Sequence, residues 1–395
     1  MSTFVLYVIM VLSSVSFFNP FGLINAQLMK LITYSTFIIS LAIAEICPRK
    51  RNLSKDFPKK TYVFLVLGIM FSMVMVMLFQ EQSFSDTVVA TIYYILPYST
   101  LYILIKYNIS SYKIIRFIKC LCIISMIVYV VNYIMLPYIV FGSIENELDN
   151  SRGFFRLSIP FIEFFVFYLL YSVNQWVEYK KKKDIIFAAI LYLFIIFSLT
   201  RQIILLSTVL SLILILKRMS VVKKIMLTIA VILLFHFVLP QIPVYQSLME
   251  TSKEQIERNE DHEDVRLNAY EFYIYKNQTN ALTPFFGNGV PSFISPWGKR
   301  FETEIIHEHA FAVDVGWAGF YWYFGFFTTL ALFLLLCRAI RKRKSKDNKY
   351  LSYWLTFIIF TSLASGPILY HYQIVSILTV VYLVYHKEYD SDTNS

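Results

Sequence analysis

Ile185 to Leu216 reads IIFAAILYLFIIFSLTRQIILLSTVLSLILIL, and its one charge, Arg201, sits near the middle. A helix rises about 1.5 Å per residue, so each arm extends about 24 Å, short of a hydrocarbon core about 30 Å thick. Basic clusters at 180–183 and 217–224 flank the stretch. Two apolar arms between basic loops must leave the cytoplasmic side and return to it. The turn at Leu199-Thr200-Arg201-Gln202 therefore lies below the far surface. An arginine in bare hydrocarbon costs several kcal/mol, so Arg201 is expected to face a wet cavity or a fixed anion.

Working outward, the same character holds along the 395 residues. They are 57% hydrophobic and 16% charged, with mean hydropathy +0.58. A soluble domain carries about 25% charged residues. Apolar blocks fall near 3–19, 31–47, 61–80, 87–105, 120–141, 157–177, 185–200, 202–216, 225–240, 312–336, 350–365 and 367–385. Each suits a membrane-crossing helix, so the expected fold is all-α and polytopic, with about 12 transmembrane helices. The first block has no basic start and no small-residue cleavage site, and is expected to be a retained span. Of the 36 Lys and Arg residues, 26 fall in alternate loops and the tail, which places both termini in the cytoplasm. The +10 net charge is thereby explained by loop clusters and not by a nucleic-acid surface. Cys47, Cys120, Cys122 and Cys337 fall at cytoplasmic span ends and imply no disulfide framework.

The expected organisation is helices 1–9 over residues 1–240, an outer loop over 241–311, helices 10–12 over 312–385 and a cytoplasmic tail over 386–395. The outer loop is too long for a connector. Thr251-Ser252-Lys253-Glu254 can start a helix as a capping box. Val265, Ala269, Phe272 and Tyr273 then form an apolar stripe at helical spacing. Thr283-Pro284 is expected to end the helical region, and Gly287-Asn288-Gly289 to turn the chain.

Chemistry is expected where polar groups meet the outer face. Arg152, Arg156, Arg201 and Arg266 suit a phosphate-bearing ligand, because guanidinium binds phosphate oxygens bidentately and stays charged when partly buried. Arg156 is read as the start of the sixth span, with Glu163 seven residues along the same helical face. Glu163 is the acid read as lying deep inside a span, where it needs a partner or a proton. His307-Glu308-His309 and Asp314 supply imidazole and carboxylate for proton transfer near neutral pH. A His-x-His strand could hold zinc, but no third ligand stands at a recognisable spacing. The glycines of Asp314-x-Gly316-x-x-Gly319 are read as close-packing positions. No Walker or dinucleotide motif is present, so no nucleotide cofactor is expected. The loop at 20–30 holds no acid, unlike mannosyl- and arabinosyl-transferring membrane enzymes. Asp390-Ser391-Asp392 lies in a solvated tail and is set aside.

Taken together, Ser151-Arg152-Gly153, Leu199-Thr200-Arg201, the long late loop with Arg266, Phe286-Gly287-Asn288-Gly289 and Asp314-x-Gly316-x-x-Gly319 resemble the bacterial O-antigen and capsule polymerases of the Wzy type, within the O-antigen ligase-like superfamily. The resemblance implies a membrane glycosyltransferase in the bacterial inner membrane. It would pass a growing glycan from undecaprenyl pyrophosphate to the end of an incoming lipid-linked repeat unit, with neither cofactor nor metal. Its implied partners are the undecaprenyl-pyrophosphate-linked oligosaccharide, membrane lipids, a chain-length regulator and a flippase, and no nucleic acid. Arg201 and Arg266 would hold pyrophosphate, and Arg152, Arg156 and His307 sugar or phosphate. Asp314 or His309 would be the base, with Glu163 next in line. The ligases carry a His-Asn or similar pair where this chain has His307-Glu308-His309. The rival readings are an O-antigen ligase and a flippase of lipid-linked oligosaccharide.

Overall fold

The computed structural model describes residues 3–15, 19–46, 54–142, 148–149, 156–217, 265–342 and 348–386, with scattered residues between 219 and 246. The opening stretch folds as two sixteen-residue helices, α7 (Lys182–Phe197) and α8 (Arg201–Leu216), joined at Ser198-Leu199-Thr200. Leu199 takes a left-handed conformation, φ 52°, and reverses the chain in one step. Gln202 Nε2 fixes the turn by donating to Phe360 O (3.2 Å) and Thr361 O (2.9 Å).

The other helices are α1 (Thr3–Ser14), α2 (Ala26–Ile46), α3 (Lys59–Phe79), α4 (Phe84–Tyr107), α5 (Ser111–Ile134) and α6 (Ile162–Tyr179). After α8 come α9 (Val265–Glu271), α10 (Thr283–Phe286), α11 (Pro296–Glu308), α12 (Gly316–Arg341), α13 (Lys349–Thr361) and α14 (His371–Tyr385). A two-residue antiparallel pairing, β1 (Leu148–Asp149) with β2 (Arg156–Leu157), is the one ladder among the described residues. Five helices are long and apolar enough to cross a membrane: Gln27–Ile46, α3, α4, α5 and α12. Helices α1, α8 and α14 are apolar but shorter. The apolar block at 225–240 lies almost entirely outside the described residues.

Lipid is the solvent these helices fit. On α3, Phe64, Leu67, Phe71, Val74 and Leu78 are exposed at helical spacing, while Leu65, Ile69, Ser72 and Val76 are buried. Such a stripe in water would be a large apolar patch, and in a membrane it faces acyl chains. Helices α6 and α14 are buried nearly all round and form the centre. Phe164 to Phe167 of α6 and Val380 to Leu383 of α14 are fully or almost fully buried. Around α6 pack α5, α7, α8 and α13, and around α14 pack α1, α4, α12 and α13.

The bundle has a basic end. Arg338 Nη1 donates to Thr61 Oγ1 (2.6 Å), Lys342 Nζ to Val384 O (3.1 Å), and Ser54 N to Tyr385 O (2.9 Å). Lys106 pairs with Glu45 at 3.5 Å, and Tyr382 Oη donates to Ile109 O (2.8 Å). These contacts gather the start of α3, the ends of α2, α4, α12 and α14 and the approach to α5.

Segment 283–295 of the late loop packs against α3, α4 and α12. Helix α12 breaks at Gly325, φ 77° and ψ 172°. The break frees two carbonyls, and Asn288 N and Gly289 N donate to Trp322 O (2.8 Å) and Tyr323 O (3.0 Å). A Cβ on Gly325 would stand 2.4 Å from Gly287 N, so the two backbones meet only because both residues lack one. Gln82, at the α3–α4 corner, accepts from Ser292 N (2.8 Å) and donates to Val290 O (3.2 Å). Thr283-Pro284 opens α10 instead of ending a helix, since proline suits a first helical turn. The stripe at 265–273 is helical as expected, with Ala269, Phe272 and Tyr273 buried, but Val265 is exposed. The helix continues as a π-turn over Phe272–Lys276. The capping box at 251–254 lies outside the described residues.

Candidate functional site

At the end of the bundle remote from the basic contacts, a cavity of ≈ 230 Å³ opens between α6 and α14. Its floor is Glu163, in the first turn of α6, and Gln373, in the first turn of α14. Ser198, Thr200 and Ile203 of the α7–α8 turn close one side, and Ser365, Gly366 and Tyr370 close another.

The N-terminal ends of α6, α8 and α14 meet around this space, and that of α12 abuts the loop at 362–366 that forms part of its wall. The first two N–H groups of α12 are taken up by the adjoining loop: Gly316 N donates to Ser365 O (3.1 Å) and Trp317 N to Ser362 O (3.0 Å). Each helix start carries about half a positive charge, so this end attracts anions.

Glu163 is 97% buried, with 3% relative exposure, yet it stands at the start of α6 and not deep within it. Its cover comes from neighbouring segments. Its backbone carbonyl accepts from Trp354 Nε1 (2.8 Å), and its carboxylate Oε1 accepts from Gln373 Nε2. Gln373 Nε2 also donates to Tyr372 Oη (3.3 Å). Among the described residues, Glu163 Oε2 and Gln373 Oε1 are buried without a hydrogen-bond partner.

Arg156 does not share a helical face with Glu163. It lies in β2 opposite Asp149, and the helix starts only at Ile162. Pro160 disfavours helical backbone at Ile159, and Phe161 is left-handed at φ 60°, so a turn and not a helix precedes Ile162. The Arg156 side chain and all of Arg152 lie outside the described residues.

Arg201 is the first residue of α8 and is exposed. It does not itself line the cavity, but Thr200 and Ile203 beside it do. Arg266 is exposed on α9, one turn before Tyr270, whose hydroxyl donates to Leu363 O (2.6 Å). Asp314 precedes α12 in a 3-10 turn and is half-buried. Loss of water pushes its carboxyl above the usual range, and the Arg266 guanidinium pulls it part of the way back. Tyr370, on the cavity wall, lies within electrostatic reach of both Asp314 and Glu163. Glu163, Tyr370, Asp314 and Arg266 thus form one neighbourhood, with Arg201 at its edge.

The histidines stand apart. His307 ends α11, pairs with adjacent Glu308 at 3.3 Å and has 83% of its side chain exposed. His309 caps the helix in a left-handed conformation, φ 49°. The His-x-His strand geometry is therefore not realised, because the segment is the end of a helix. His307 borders a second cavity with Phe272, Asn277 and Glu304, separate from the Glu163 site. Among the described residues no three His, Cys, Asp or Glu side chains converge as a metal site. Cys120, Cys122 and Cys337 are free thiols, and Cys47 lies outside the described residues.

The close approaches at Gly316 and Gly319 bear out their reading as packing positions. An added Cβ would meet Ser365 O at 2.3 Å and Ala312 Cβ at 2.8 Å, respectively. The sequence did not single out Tyr370 and Gln373. Their signal was a Ser365-Gly366-Pro367 break followed by four polar or aromatic residues, Tyr370-His371-Tyr372-Gln373, opening an apolar run.

In comparisons with known proteins, no family model and no curated sequence matches the chain.

Proposed function

We propose that the chain is a membrane glycosyltransferase of the polysaccharide-polymerase kind. It moves a growing glycan from undecaprenyl pyrophosphate to the end of an incoming lipid-linked repeat unit. In this reading about twelve helices cross a bacterial cytoplasmic membrane, both termini face the cytoplasm, and the cavity end faces outward. A chain-length regulator and a flippase would work beside it. Segment 241–311 contributes Arg266 from outside, while its part at 283–295 packs against α3, α4 and α12.

The observation that carries the reading is the cavity at the end remote from the basic contacts, with Glu163 on its floor, Arg201 next to the lining residue Thr200, and Arg266 within electrostatic reach of Asp314. Charge bias puts the basic end in the cytoplasm. The opposite end combines three helix starts with two guanidinium groups, an arrangement suited to a leaving pyrophosphate. The chemistry needs charge stabilisation on the leaving group and proton removal from an acceptor hydroxyl, and these side chains supply both. The resemblance of Leu199-Thr200-Arg201 and Asp314-x-Gly316-x-x-Gly319 to such polymerases agrees.

The test is Arg201→Ala beside Arg201→Lys in purified protein. Losing one preorganised donor to developing charge costs on the order of 10²–10³ in rate. Alanine should cost that much polymer formation without impairing membrane insertion, since Arg201 is exposed. Lysine should restore part of the rate, lacking the bidentate fork. An alanine variant that polymerises at the normal rate would overturn the assignment.

A further inference from the structure

We propose that Glu163 and Gln373 form the subsite for the acceptor's reacting hydroxyl, with Glu163 taking its proton and Gln373 as the positioning residue. The inference rests on the glycosyltransferase reading and adds the acceptor side of the reaction.

Two buried oxygens, Glu163 Oε2 and Gln373 Oε1, are left without donors among the described residues. Both side chains line the same cavity. A buried acceptor left unpaired is destabilising, so two on facing helices indicate a ligand that brings donors. A sugar brings hydroxyls in adjacent positions. The volume, ≈ 230 Å³, is below the roughly 300–1,000 Å³ of pockets for drug-sized ligands, which suits one terminal sugar ring and not a whole repeat unit. Tyr370 and Tyr372, their rings stacked at 5.6 Å, add aromatic surface at the same wall.

Gln373 gives the pair its direction. Its amide N–H group donates to Glu163 Oε1 and leaves Oε2 as the carboxylate oxygen without a donor among the described residues. Trp354 Nε1 holds the Glu163 backbone at 2.8 Å, so the carboxylate is fixed from two sides. In the step, the acceptor O–H gives its proton to Glu163 Oε2. The oxygen lone pair forms the new bond to the donor's anomeric carbon, the C–O bond to pyrophosphate breaks, and pyrophosphate leaves with the electron pair. Glu163 then passes the proton to water.

The experiment uses the full chain in proteoliposomes, with a polyprenyl-pyrophosphate-linked donor and a repeat unit on a shortened lipid as acceptor. Unfolding temperature and affinity for polyprenyl pyrophosphate are measured in parallel. Glu163→Gln should keep both and lose at least about 100-fold in transfer, the lower range of general-base catalysis. Gln373→Ala should keep the affinity for polyprenyl pyrophosphate, raise the acceptor KM about tenfold and lower kcat. A purely structural role would instead lower the unfolding temperature without separating acceptor KM from donor affinity. Normal transfer by Glu163→Gln in an assay where the native chain is active would overturn this inference alone. A native chain that neither binds polyprenyl pyrophosphate nor forms polymer would overturn the functional reading and this inference with it.

Discussion

Replacing Gly316 by alanine probes how the cavity wall is held. The added Cβ would lie 2.3 Å from Ser365 O, 3.0 Å from Ser362 O and 3.1 Å from Gly366 Cα. All three are backbone atoms, so no side-chain rotation relieves the clash, and the loop at 362–366 must move by about an ångström to restore the roughly 3.3 Å of a close C···O contact. Two hydrogen bonds run across this gap, Gly316 N to Ser365 O and Trp317 N to Ser362 O. Each contributes about 1 kcal/mol, and overpacking adds about 1–3 kcal/mol. The expected loss is therefore about 3–5 kcal/mol. The same movement displaces Ser365 and Gly366 from the cavity wall. Reversible denaturation in mixed micelles measures the first effect, and polymer yield from any folded fraction measures the second. Gly366→Ala is the graded comparison, since its nearest contact is Val313 Cα at 3.0 Å, and its loss should be smaller. A Gly316→Ala protein with the native unfolding midpoint and native polymer yield would refute the reasoning.

Asp314→Asn should stabilise the protein at neutral pH. The folded-state carboxyl is raised by loss of water, so ionisation costs stability above the unfolded value of about 4, and the difference should disappear below that pH. Arg266→Gln removes the group that pulls Asp314 back, so it should widen that difference; denaturation midpoints between acidic and neutral pH measure both effects. His307→Ala and His309→Ala should retain polymer formation, because both side chains are exposed and His307 borders the second cavity. Polymerisation assays on the two variants, with and without chelator, check this, and loss of activity reversed by one divalent ion would restore a metal role.

Local pattern carried much of the architecture. The single charge between two short apolar arms predicts α7, α8 and the turn between them, because helix rise and membrane thickness leave few alternatives. What joins distant segments was not legible. Gln82 meets Val290 and Ser292 only after α3, α4 and the late segment are assembled, so 283–295 reads as loop in sequence and packs against these helices in the structure. Arg156 was misjudged because an apolar run was extended through Pro160, where backbone sterics end it. Glu163 was found from its rarity, but Gln373 was not, since an uncharged amide near a span end carries no signal until its partner is known. The histidines drew notice by composition alone, and exposure sets them apart from the cavity.

The proposed reaction polymerises lipid-linked units without an added nucleotide. The measurement is to incubate the purified chain with one polyprenyl-pyrophosphate-linked oligosaccharide and to resolve glycan length and free polyprenyl pyrophosphate over time. The expected result is a ladder of repeat lengths, with one polyprenyl pyrophosphate released for each bond formed. Single units that persist unchanged, with no polyprenyl pyrophosphate released by a folded and membrane-inserted chain, would contradict it.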